Sequence, residues 1–337
     1  RVLKFILIQL WVSQSVLSAQ HGEIIAWGQN LDGVVSNAPS GQDFIMAMGG
    51  GYHAVALNNL GEIVAWGQDG FGEVSNAPSG QGFVAVAAGS DFSVAIDAQG
   101  GIAAWGRDNA QQINGAPQDL GYVKVACGFD HALAVRNDGT VSGWGDNGYS
   151  QVSDIPQQVL FQQVAAGDDH SVGLALDGTV HAWGYNGDGQ VSGAPTGPGF
   201  IQISAGGRNS AALSADGTIY VWGRDRDGMV SGAPVGSGFT MIELGDDHGV
   251  ALTTAGEVIG WGSDLYGQAS TGPSEPNHIF VSGGERFSLA IADLDSDQDG
   301  LTDHSEDLNE DGIVDPGETD PFDQDSDDDG LGDGEEL

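Results

Sequence analysis

Trp27, Trp66, Trp105, Trp144, Trp183, Trp222 and Trp261 are each followed by Gly and lie 39 residues apart, with no insertion or deletion between them. A chain that keeps this register is an array. Each row is one supersecondary unit too small to bury its own apolar face, so rows must stack on rows. Other positions keep step. A Gly opens every row from Gly22 to Gly256, a second series runs from Gly50 to Gly284, and a Pro recurs from Pro39 to Pro273. The 56 glycines therefore fall largely on fixed positions, which reads as turns and close backbone approach rather than low complexity.

Within a row three strand signals are plain, as in GEIVAWG (61–67), GFVAVAAG (82–89) and FSVAIDA (92–98), and a shorter fourth is expected near EVSNAP (73–78). Tight turns such as Asn137-Asp138-Gly139 and Asp177-Gly178 join them into hairpins. Along the strands small residues alternate with large ones, Val84 and Val86 against Ala85 and Ala87, so both faces must be covered. Radially stacked sheets do this. The expectation is an all-β fold, a seven-bladed β-propeller of 39-residue repeats over residues 20–292. The alternative, a β-solenoid, usually has shorter coils without hairpins. The last row ends at SLAIA (288–292) with no Trp-Gly strand after it, whereas the chain opens on one, GEIIAWG (22–28). One blade is thus expected to be stitched from both ends, which removes an exposed edge.

Rows such as GDDHSVGLALDGTVHAWGYNGDGQ (167–190) resemble the regulator of chromosome condensation repeat, and the resemblance spans residues 22–292. It implies the propeller fold of that family. The short uniform rows look most like the secreted bacterial branch that inhibits β-lactamases, and less like the nuclear exchange-factor branch, whose rows are longer. That branch grips chromatin and acts on a small GTPase through an inserted wedge, so an acidic chain without insertions disfavours guanine-nucleotide exchange.

Charge narrows the partners further. Nine Lys plus Arg against 48 Asp plus Glu give a net charge of -39, which leaves no basic face for nucleic acid. The N-terminal RVLKFILIQLWVSQSVLSAQ carries Arg1 and Lys4, an apolar run and small residues before Ala19. This reads as a signal peptide over residues 1–19, giving a secreted or cell-surface protein with no membrane span after cleavage; a membrane anchor is the alternative, weakened by Ser13, Gln14 and Ser15. The chain begins without Met, and a longer parent chain is expected. Cys127 is the single cysteine, so no internal disulfide contributes, and its expected role is that of a buried small apolar residue.

Recognition is expected in two variable loop sets, which the resemblance to the inhibitor branch implies line one propeller face. One holds Tyr52, Asp91, Asp130, Asp169, Arg208, Asp247 and Arg286; the other holds Phe71, Tyr149, Tyr185 and Tyr266. Arg208, Arg224, Arg226 and Arg286 come from consecutive rows and offer a patch for carboxylate or sulfate. Pairing with Asp225, Asp227 and Glu285 as a solvated surface is the competing reading. His53, His131, His170 and His248 recur at one row position, hence on different blades, which fits turn packing better than a shared metal. No nucleophile stands beside a base in one row alone, and no Gly-x-Ser-x-Gly elbow or phosphate loop occurs, so the chain is read as not an enzyme.

From Asp293 the register stops. Residues 293–337 carry 20 acidic side chains and neither Lys nor Arg. Three segments repeat one template with Gly300, Gly312 and Gly330 at the sixth position. The expected Ca²⁺ ligands are Asp295, Asp297, Asp299, Leu301, Asp303 and Glu306; Asp307, Asn309, Asp311, Ile313, Asp315 and Glu318; and Asp325, Asp327, Asp329, Leu331, Asp333 and Glu336, with the residue at position 7 lending its carbonyl. A hard ion with six to eight oxygens suits each set, and its charge relieves repulsion that otherwise favours disorder. No flanking helices are evident, and the tail resembles thrombospondin type 3 calcium-binding repeats. It stops at Leu337 just after a loop closes, so further repeats or a sorting signal are expected.

These readings combine into an exported, non-catalytic recognition or scaffold protein, its propeller face binding a protein or glycan and its calcium-stabilised stalk holding that face from a surface. An inhibitor resembling the β-lactamase antagonist is the alternative; an exchange-type regulator is a distant second.

Overall fold

A computed structural model describes residues 21–293 and, from the tail, Glu306, residues 319–321, Asp323 and Ser326. The expected leader 1–19 and every expected calcium ligand except Glu306 lie outside the described residues. The compact unit His21–Leu294 is built of seven three-stranded antiparallel sheets.

Blade 1 runs Phe44–Gly49, His53–Asn58, Ile63–Gly67, and each later row adds a blade of the same order: blade 2 from Phe83–Ala88, blade 3 from Tyr122–Cys127, blade 4 from Phe161–Ala166, blade 5 from Phe200–Gly206, blade 6 from Phe239–Leu244. The Trp-Gly strand of each row thus closes the blade begun in the row before. Blade 7 pairs His278–Gly283 and Phe287–Ala292 with Glu23–Gly28 from the other end of the chain, Ile25 opposite Ala290 and Trp27 opposite Ser288. The expected stitching is therefore present, and the last middle strand has no open edge.

The small-large alternation works as inferred. Middle-strand residues such as Val55, Leu57, Val94, Ile96, Leu174 and Leu213 are wholly buried. The core is a series of clusters shared between neighbouring blades, as where Val172 and Leu174 pack with Ile203, Ala212 and Trp222. The expected fourth strand is absent. In all seven rows the side-chain oxygen of an Asn or Asp two residues after Trp-Gly accepts the N–H groups five and six residues ahead, at 2.8–3.1 Å, from Asn30 and Asp69 to Asp225 and Asp264. With those donors taken, residues 73–76 turn instead of joining a ladder.

Inner strands still have an edge facing the axis, and side chains of the preceding blade complete it. The Gln163 amide donates to Ile203 O and accepts from Ile203 N–H; Gln202 does the same to Ile242, with all four bonds between 2.9 and 3.1 Å. Ser204 and Ser282 Oγ accept Leu244 N–H and Gly49 N–H. A carboxamide has the donor-acceptor pair of a peptide group, so it substitutes for a missing strand.

Each of the seven Trp-Gly indole N–H groups donates to a backbone carbonyl 32 residues earlier, or across the closure to Gln268, at 2.8–3.0 Å. The Trp rings are thus wedges in the core, which satisfies their polar atom where it is buried.

Candidate functional site

The two loop sets meet at one mouth of the ring because the backbone ties them. The N–H directly after each Trp-Gly donates to the carbonyl of the loop between the inner and middle strands, as in Arg107 to Asp91, Asp146 to Asp130, Tyr185 to Asp169 and Gln29 to Arg286, all at 2.8–2.9 Å. The Trp-Gly glycine sits at this crossing with positive φ. At Gly184, φ is +98° and an added Cβ would lie 2.8 Å from Asp169 O, so the conformation and the approach both demand glycine.

Below the mouth the recurring histidines join blades. His53, His131, His170 and His248 Nε2 lie 2.8–3.0 Å from Ser93, Ser171, Ser210 and Ser288 Oγ on the next blade. Ser171 Oγ donates in turn to Gln151 O, the same carbonyl that accepts from Trp183 Nε1. The serine proton is thereby committed, so His131 must present Nε2–H. Burial holds these rings neutral, down to about 4 for His53, His131 and His248 and about 3 for His170. Among the described residues no group of three or more His, Cys, Asp or Glu is arranged for a metal ion. Cys127 is half-buried, and burial pushes its thiol up.

The axis holds a cavity of about 180 Å³ walled mainly by backbone of the paired glycines, whose charged lining residues are Asp168, Asp246 and Glu285. Burial, then Asp169, raises Asp168 to about 6; burial, then Asp168, Asp247 and Glu285, raises Asp246 to about 7. A larger, shallow depression of about 410 Å³ lies by Pro195, Phe200, Asp216 and Tyr220. Its carboxylate, Asp216, is already held by Ser214 and Thr218.

The expected partner residues lie on the loops of the mouth, where Arg224 donates its N–H to Arg208 O at 3.2 Å. Tyr52 donates to Glu285 at 3.0 Å, and Tyr149 meets Tyr185 edge-on with centroids 4.9 Å apart. The arginines do not merge into an anion patch. Arg208 pairs with Asp188 at 3.2 Å, Arg226 with Asp247 at 3.4 Å and Asp227 at 3.5 Å, and Arg286 with Glu285 at 3.5 Å. Asp225 instead accepts the backbone of its own turn. Arg208 and Arg286 also lie over the rings of Tyr185 and Tyr266, at 5.5 and 5.7 Å. Sequence reasoning missed Arg107, which pairs with Asp91 at 3.0 Å and covers Phe71 at 5.4 Å. Its row position, the one held by Tyr185 two rows later, was the available signal.

Of the tail, Glu306 is buried, and Thr319 Oγ1 donates to its carboxylate at 3.2 Å.

Fold and mouth together define a β-propeller that displays variable side chains on repeated, rigidly tied loops. Residues 122–151, 161–190, 200–228 and 242–268 match the Regulator of chromosome condensation (RCC1) repeat, and the chain is a propeller of that type. Its fold is shared by Prp20p of Saccharomyces cerevisiae, a structure described with its binding to Gsp1p and histones: TM-score 0.67 and 21% identity, over 82% of this chain and 92% of that one. Human WBSCR16 gives 0.64 and 19%, over 80% and 98%. The CRINKLY ectodomain of the Arabidopsis thaliana receptor kinase ACR4 gives 0.60 and 23%, over 72% and 86%. No curated protein matches the chain in sequence. Among the described residues no helix is long and apolar enough to cross a membrane.

Proposed function

We propose that the protein is a non-catalytic recognition module whose loop-bearing mouth binds a protein partner. The observation that carries this is the contrast at that mouth: each loop backbone is fixed to its neighbour, while Phe71, Tyr149 and Tyr266 stand exposed upon it. Rigid display of aromatic side chains lowers the entropy lost on binding and is typical of recognition surfaces. Protein binding described for Prp20p supports a binding role for the fold, without identifying this chain's partner.

Export and a calcium-stiffened tail complete the proposal. Export rests on the leader-like residues 1–19, and calcium on the in-phase acids and glycines of residues 293–337. The protein would then work outside the cell, with its binding face carried on a stalk.

Capture tests the binding role. The full chain, immobilised beside variants Tyr149→Ala with Tyr266→Ala on the mouth and Tyr220→Ala on an outer strand, is exposed to secreted proteins and to a glycan panel. Retention of one protein by the parent and the Tyr220 variant, lost on the mouth variant, supports the reading. Equal retention by all three overturns it, and retention of a glycan alone replaces the protein partner with a sugar.

A further inference from the structure

In blade 2 an acid, a ring and a guanidinium converge: Arg107 Nη1 lies 3.0 Å from Asp91 Oδ2, with the guanidinium carbon 5.4 Å from the Phe71 ring centroid. Two rows later the same three positions hold Asp169, Tyr149 and Tyr185. The acid and the ring recur; the cation does not. Tyr185 turns towards Tyr149 and takes Arg208 over its own ring, and Arg208 is spoken for by Asp188.

What remains in blade 4 is an unmatched notch. Tyr149 is 52% exposed. Among the described residues no side-chain hydrogen bond or ion pair reaches the Asp169 carboxylate. Asp146, one row before Tyr185, adds a second carboxylate whose charge acts on Asp169, and one of its oxygens accepts from Gln151 Nε2 at 2.8 Å. Burial first, then Asp146, raises Asp169, and Arg208 only partly offsets this. Asp130 on blade 3 is raised too, by burial above all, with Asp91 and Asp146 adding and Arg107 opposing. Negative charge is therefore concentrated beside an open aromatic face.

We propose that the notch formed by Tyr149, Asp169 and Asp146 receives an arginine side chain from a protein partner, so that the partner presents a basic segment to this mouth. The proposal rests on the binding-face reading and names the partner's chemistry. Arginine is chosen over lysine because the chain's own solution at three sectors is a guanidinium on a ring: Arg107 on Phe71, Arg208 on Tyr185, Arg286 on Tyr266. A planar guanidinium stacks on a ring and forks onto a carboxylate at once, whereas an ammonium is a compact, strongly hydrated charge.

The test uses the full chain and three fluorescein-labelled dodecapeptides, alternating Gly with Arg, Lys or Glu, read by anisotropy at low salt. The Arg peptide binds, the Lys peptide binds more weakly at equal charge, and the Glu peptide does not bind. Asp169→Asn and Tyr149→Ala each weaken the Arg peptide by about tenfold. Tyr185→Arg restores the blade 2 arrangement within the chain and blocks the peptide. Asp91→Asn, whose acid is already occupied, leaves affinity unchanged. Melting curves confirm folding, and Tyr149→Leu replaces the alanine variant if that one unfolds. Absence of Arg-peptide binding, equal loss from Asp91→Asn and Asp169→Asn, or full binding by Tyr185→Arg overturns the notch. If a captured partner is still held by Asp169→Asn and Tyr149→Ala, the notch fails while the wider mouth remains the binding face.

Discussion

His131 Nε2 stands 3.0 Å from Ser171 Oγ, and this contact between adjacent blades is matched in the sequence by a rule at 40 residues' separation. Rows supplying His53, His131, His170 or His248 are followed by rows supplying Ser93, Ser171, Ser210 or Ser288. Where the first position is Phe92 or Phe287, the next blade offers Ala132 or Ala54; where it is Asn209, the next offers Gly249. Imidazole meets hydroxyl and phenyl meets Ala, because a buried hydroxyl or imidazole without its partner is costly, while Asn209 donates instead to Arg224 O at 2.7 Å.

A double-mutant cycle follows from this contact. Ser171→Ala strands the His131 N–H in a buried site and should cost about 1–3 kcal/mol. His131→Phe with Ser171→Ala copies the Phe92 and Ala132 pairing found elsewhere in the ring. It should recover most of that loss, giving a coupling energy of about 1 kcal/mol or more in urea unfolding. Strict additivity of the two changes would show that the bond contributes nothing.

The turn that displaced the expected fourth strand is open to a similar measurement. Asn186→Ala removes the acceptor of Val191 and Ser192 N–H and should destabilise by about 1–2 kcal/mol. Asn186→Asp, which keeps the acceptor used in the rows of Asp69 and Asp225, should stay close to the parent in melting temperature.

Protons act on the ring in two opposed ways. Asp246, raised to about 7, keeps its proton in the folded chain after the unfolded chain has lost it, so stability from this group falls as pH rises from the usual carboxylate range to about 7. Asp168, raised to about 6, and Glu243, half-buried on an inner strand beside Ser204 and raised to about 7, act in the same direction. The buried histidines act oppositely, since the unfolded chain takes up protons below about 6.5 that the folded rings refuse. Asp246→Asn isolates one component. Its stabilisation over the parent should be on the order of 1–3 kcal/mol at pH 8 and much smaller at pH 4. A gain independent of pH would remove the assignment.

Calcium is checked directly on the full chain. Titration to millimolar Ca²⁺ should release heat with a dissociation constant of roughly 10⁻⁴ to 10⁻³ M and alter the dichroism, whereas Glu318→Gln with Glu336→Gln should reduce the bound ions. No heat and no spectral change would end the calcium proposal.

Much of this protein is legible in its repeat alone. An unbroken 39-residue period, alternating small and large strand residues, and a Trp-Gly strand missing from the last row but present at the start were enough for seven blades and their closure. These features are local or periodic, so one dimension carries them. Row alignment picked out the variable positions of Tyr149, Tyr185, Arg208 and Arg286, and the family resemblance put them on one face; the ring then brings Tyr185 against Tyr149 and Arg208. Three things needed the folded ring. The fourth strand yielded to turns because the Asn and Asp oxygens compete with the ladder at a distance of five and six residues, which strand patterning does not register. Arg208, Arg226 and Arg286 separated into individual ion pairs because each loop position faces its own row's acids and rings. The convergence of Asp168, Asp246 and Glu285 on the axis arises from curvature, since residues far apart in the chain meet only when the wedges close.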